Sequence, residues 1–125
     1  MGNLFEEGNA IRSEVLGKDI VDRSIKEMTE FNEPMLRLAT EYCWGAVWGR
    51  DTLSRKQRSM LNLAMLSALN RQNEFKLHLR GAIRNGVTRD EIREVLLQVA
   101  VYCGIPAGVE AFRIAKEVLS EEGVL

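Results

Sequence analysis

Cysteine is scarce in this chain. Cys43 and Cys103 are the only two, and they lie too far apart for a CxxC or any zinc-ligand spacing. Histidine is scarcer still, with His78 alone. One imidazole and no clustered thiols make a dedicated transition-metal site an unpromising reading, so no metal and no cofactor is expected. There are two prolines, Pro34 and Pro106, and runs of β-branched residues are short, which argues against an all-β chain. Neither sign of charge prevails: 17 Lys and Arg face 18 Asp and Glu, for a net charge of −1. That is not the footprint of a nucleic-acid binder. No apolar run approaches the roughly 20 residues of a membrane span. The opening "MGNLFEEGNAIRSEVLG" lacks the apolar stretch of a signal peptide. The expectation is a cytoplasmic protein with no nucleic-acid and no membrane partner.

What is present reads as helix throughout. With 125 residues, 46% of them apolar, the chain suits a single packed domain over 1–125. "NLFEEGNAIRSEVL" predicts an amphipathic first helix ending near Gly17, followed by a connector, "GKDIVDRSIKEMTEF", with a helical turn or two. Asn32 is placed to cap a second helix that tolerates Pro34 in its first turn and runs to about Trp44. "WGAVWGRDTL" then reads as a glycine-punctuated link. Ser54 with Gln57 forms a capping box for a third helix, "RKQRSMLNLAMLSAL". A fourth spans about Asn73 to Asn85 and stops at Gly86. Thr88 with Glu91 makes a second capping box, with Val87 and Ile92 as its hydrophobic staple. That fifth helix ends at Gly104, and Pro106 opens the last, to about Leu119. The fold class expected is all-α, with about six helices.

Two of these helices, "MLNLAMLSAL" and "VLLQVAVYC", are apolar around almost their whole circumference, and such a helix must be buried all round. A short chain can shield one of them more easily than two. The surplus predicts a homo-oligomer; two central neighbours in one compact bundle are the alternative.

Several residues could carry chemistry. Phe75, His78, Leu79 and Ala82 share one helical face, and Glu74 lies one turn before His78 near its margin. A buried carboxylate there would orient the imidazole and favour its cation. Alternatively, the two form an ordinary i, i+4 pair at a helix boundary. Trp44 and Trp48 could wall a pocket or simply pack, and Arg50 just after them could meet a carboxylate. Arg55 and Arg58 sit in the first turn of a helix, where cations oppose the dipole; an anionic ligand could compensate, or the two simply form a solvated face. The two cysteines lie in apolar surroundings and read as buried, inert thiols.

The segments "RSEVLG", "WGAVWGR", "LSRKQRSMLNLAMLSAL", "HLRGAIRNGVTRDEI" and "YCGIPAGVEAFRIAKEV", in this order and spacing, resemble the carboxymuconolactone decarboxylase family over nearly the full length. The resemblance implies an alkylhydroperoxidase-like helical bundle assembled as a trimer or hexamer. It implies cofactor-independent decarboxylation of 4-carboxymuconolactone, a small carboxylated lactone, to 3-oxoadipate enol-lactone. Under it His78 is the catalytic hydrogen-bond donor to the lactone oxygen or the general acid, and Glu74 orients and charges it. Arg50 and Arg58 bind substrate carboxylates, with Arg71 and Arg80 as further candidates, and Trp44 and Trp48 shape the pocket. The alternatives are another small carboxylated substrate, or a non-enzymatic oligomeric ligand-binding protein. The peroxidase branch of the superfamily carries CxxC, then three residues, then its histidine. Here those cysteine positions hold Arg71 and Glu74, which removes the thiol chemistry.

Overall fold

The computed structural model describes residues 3–125. Among the described residues it is helical without a strand, with α1 (Leu4–Leu16), α2 (Lys18–Lys26), α3 (Glu33–Leu38), a π-helical segment (Ala39–Val47), α4 (Arg55–Ala68), α5 (Gln72–Arg84), α6 (Arg89–Cys103) and α7 (Ile105–Glu121). The all-α expectation holds, with seven α-helices where about six were expected. The chain divides into two compact units, residues 1–54 and 55–125.

In the first unit, the Asn3 side chain accepts hydrogen bonds from the Phe5 and Glu6 amides and so starts α1. Gly17, at φ 105°, ends it. The stretch expected to be a connector is instead the nine-residue α2. It buries Val21 and is tied on its surface by a 2.7 Å Lys18–Asp22 pair. Arg12 on α1 donates to the Ser24 hydroxyl at 3.0 Å and joins the two helices. The Asn32 side chain accepts from the Thr29 amide at 2.7 Å and makes no cap bond to α3.

The helix expected to stop at Trp44 continues to Val47 by widening into π geometry, as the Trp48 amide bonding back to the Cys43 carbonyl shows. Gly45 does not break it. A Cβ at Gly45 would lie 2.8 Å from the Leu4 carbonyl oxygen, and one at Gly8 would strike the Thr40 carbonyl. These glycines let α1 and the π segment approach backbone to backbone.

The second unit is built from two helical hairpins. Asn70, at φ 58°, turns the chain between α4 and α5, and the Arg71 amide closes the turn onto the Leu66 carbonyl. The Asn85 side-chain amide donates to the fully buried Ser59 hydroxyl at 2.9 Å, and Asn62 meets His78 at 3.4 Å. Residue numbers rise on α4 as they fall on α5, so the pair is antiparallel. The expected capping box starts α6: the Thr88 hydroxyl accepts from the Glu91 amide while the Glu91 carboxylate accepts from the Thr88 amide. Gly104, at φ 111°, separates α6 from α7. The core is a single cluster that includes Leu63, Phe75, Leu79, Ile92, Leu96, Ile114 and Val118.

The apolar circumference of α4 and α6 is only half used. Leu63 and Leu96 are buried, whereas Leu61, Met65 and Leu69 form an exposed stripe at i, i+4, i+8, and Leu97, Val101 and Tyr102 are exposed on α6. Cys103, expected to be buried, lies on that exposed side, and Cys43 is half-buried. Arg89–Cys103 thus ends with its apolar residues pointing out as well as in.

Helices α6 and α7 touch where Gly108 meets Ala100, and a Cβ at Gly108 would collide with the Ala100 methyl. Gly108→Val should therefore force the two helices apart and cost about 1–3 kcal/mol. The check is a lower urea midpoint with unchanged slope and helical content.

Candidate active site

The first unit holds three of the residues singled out in the sequence. The π segment places Trp44 and Trp48 on one side. Both rings are buried, with centroids 4.7 Å apart and planes tilted by 31°. Tilted contact at this distance favours the quadrupoles of both rings. Arg50 follows in the turn, exposed, with its amide on the Val47 carbonyl. Cys43, on the same segment, has its thiol pushed up by burial, with the Arg12 charge acting in the opposite sense. A raised pKa leaves it a poor nucleophile.

The second unit holds His78, Glu74, Arg58, Arg71 and Arg80. His78 is half-buried on α5, with its Nδ1 3.4 Å from the amide nitrogen of Asn62 on α4. Loss of hydration pushes its pKa down to about 4, and the Glu74 charge offsets only part of that. The expected imidazolium therefore does not form near neutral pH. Glu74 lies one turn away but is exposed rather than buried, so water screens its charge. Arg58 is half-buried one turn before Asn62 on α4. The face of α4 turned to His78 thus carries a cation and an amide. Arg71 stands at the N-terminus of α5 and lines a cavity of about 490 Å³ with Phe75, Ser67, Gln72 and Glu110.

Arg80 departs from expectation. Its guanidinium donates to Glu121 at 2.8 Å and pairs with Glu122 at 3.3 Å, so it anchors α5 to the end of α7. Two positions along a helix turn a side chain to the other side, which is why Arg80 does not join His78. Asn62 is the residue that sequence reasoning missed. Its signal was available: it is the one amide in the apolar run "MLNLAML".

A half-buried neutral imidazole, an amide and a half-buried guanidinium can do a limited set of things. They can donate hydrogen bonds to a developing oxyanion and hold a carboxylate, in surroundings dry enough to make both interactions strong.

Residues 33–117 match the Carboxymuconolactone decarboxylase family, and the chain belongs to it. Among its relatives, the nitrosuccinic acid decarboxylase of Metarhizium robertsii is 44% identical over 94% of this chain and 82% of its own length. The 4-carboxymuconolactone decarboxylase of Acinetobacter baylyi is 38% identical over 96% of this chain and 90% of its own. The chain is a carboxy-lyase of this family. Among the described residues no helix is long and apolar enough to cross a membrane.

The depressed pKa of His78 links to stability. Between pH 6.5 and about 4 the unfolded chain binds a proton at this position that the folded chain refuses. The contribution is present in full above pH 6.5 and declines as pH falls to about 4, by up to roughly 3 kcal/mol. His78→Gln should flatten that part of the profile. Urea midpoints of both proteins at pH 7 and pH 4.5 provide the check: the gap between the two pH values should shrink in the variant.

Proposed function

We propose that the chain removes carbon dioxide, without cofactor, from a small dicarboxylate whose leaving carboxylate sits next to an electron sink, and that 4-carboxymuconolactone is that substrate. The observation that carries this is His78, neutral and half-dehydrated beside Asn62. In the lactone, the bond to the departing carboxylate breaks and its electron pair moves through the ring double bond onto the lactone carbonyl. The product is a furan oxyanion, later protonated at carbon to give the enol-lactone.

A neutral imidazole suits the first half of that sequence. It donates a hydrogen bond to the oxygen where charge accumulates, and in dry surroundings this donor acts strongly. Partial dehydration also favours loss of a charged carboxylate as uncharged carbon dioxide. In this reading His78 is the catalytic donor. Glu74 tunes it from one turn away, and Arg58, Arg71 and Arg50 serve the substrate carboxylates. Trp44 and Trp48 supply apolar wall. Arg80, held by Glu121 and Glu122, serves the fold.

A second substrate is favoured by the relative named as a nitrosuccinic acid decarboxylase, which shares more identity with this chain than does the lactone enzyme. Nitrosuccinic acid also has two carboxylates. Its nitro group would take the electron pair in place of the lactone carbonyl, so the same donor and the same cations would serve.

The exposed stripes on α4 and α6 support assembly as a homo-oligomer, a trimer or hexamer, in which these side chains would be covered.

Purified protein should convert 4-carboxymuconolactone, followed by ultraviolet absorbance, and exhaustive chelation should leave the rate unchanged. His78→Ala should lower turnover by roughly two to four orders of magnitude while keeping size and thermal midpoint. Near-normal turnover in a well-assembled variant would remove His78 from the mechanism. Turnover of nitrosuccinic acid alone would move the enzyme to the second substrate. Sedimentation should give a mass above that of one chain, and a folded monomer at micromolar concentration would refute the assembly.

A further inference from the structure

We propose that Asn62 is a positioning residue that holds His78 as the tautomer protonated on Nε2, so that the ring presents its single N–H through the nitrogen farther from the backbone. The inference rests on the reading of His78 as a neutral donor and states which nitrogen donates.

A neutral imidazole has one N–H and one lone pair. Which nitrogen carries the hydrogen is set by the partner of the other. Here the partner is an amide: the Nδ2 of Asn62 lies 3.4 Å from Nδ1 of His78. The amide N–H donates, and Nδ1 must offer its lone pair to receive it. The ring hydrogen is then on Nε2.

The placement of Asn62 follows from the α4–α5 register. Ser59 and Asn85 clamp the pair at one end through their 2.9 Å bond, and the Asn70 turn closes the other. Between these two ties Asn62 and His78 face each other. Its neighbours Leu61 and Leu63 are apolar, so helix formation alone gives no reason for a polar side chain at 62.

The residue type also fits. An amide donor opposes the imidazolium, whose Nδ1–H would point at the Asn62 N–H. A carboxylate at 62 would do the reverse, drawing a proton onto Nδ1 and stabilising the charged ring. A leucine would remove this donor from Nδ1. The reaction needs an N–H that is present at neutral pH and always at the same nitrogen, because an oxyanion donor must be aligned before charge develops.

The single histidine makes the test direct. In 15N-labelled protein, a two-bond proton–nitrogen correlation spectrum of the imidazole shows one ring. At pH 7 it should show a protonated Nε2 and an unprotonated Nδ1. Asn62→Asp, close to isosteric, should move the hydrogen to Nδ1 and raise the pH at which the ring titrates. It should also lower kcat roughly tenfold with KM within about twofold, as expected when an interaction made in the transition state is lost. A protonated Nδ1 in the wild-type protein overturns the assignment, as would an unchanged ring spectrum in Asn62→Asp. The wild-type spectrum needs no substrate and no variant. A wrong tautomer therefore refutes the role of Asn62 whatever the enzyme turns over, whereas absent turnover with the expected tautomer refutes the decarboxylation reading alone.

Discussion

An imidazole placed between two helices loses much of the water that would hydrate its cation, and in this protein that loss outweighs a carboxylate one turn away. The chemistry of the second unit depends on this balance. If hydration won, His78 would titrate near neutral pH and compete with arginines for anions. Because dehydration wins, the ring stays uncharged at neutral pH. The antiparallel register of α4 and α5 makes the dehydration possible. The Ser59–Asn85 bond and the Asn70 turn hold the helices close enough for Asn62 to reach the ring.

The first unit solves a different problem by a related route. Two helices come together at glycines, and the backbone between Ala39 and Val47 widens into π geometry while the tryptophans stack. π-Helical turns are uncommon and are over-represented at functional sites. Here the widened segment carries Trp44, its ring against that of Trp48, and ends shortly before Arg50.

The features legible in the sequence are those whose causes lie within a few residues. Thr88 and Glu91 cap α6 as the spacing required, because both bonds close within one turn. Gly17 and Gly104 end helices because a positive φ is a local demand. The features that were not legible involve a distant partner. Lys18–Lys26 looks like a linker by composition, and it is a helix because Val21 is buried and the surface pairs suit it. Gly45 looks like a break, and it is a contact point with Leu4. Arg80 belongs to an arginine-rich stretch by sequence, and carboxylates 41 and 42 positions further on claim it.

Sequence alone determined that the chain is helical, where most helices begin and end, that His78 lies on an inward face, and which family motifs surround it. Those properties follow from periodicity, capping and glycine conformation, each a short-range cause. Tertiary structure decided the charge state of His78, the partner at its Nδ1, the exposure of Glu74, the diversion of Arg80 and the outward turn of Cys103. Each of these depends on how much water a group keeps and on which side chain lies opposite it. Both are set only when helices far apart in sequence pack together.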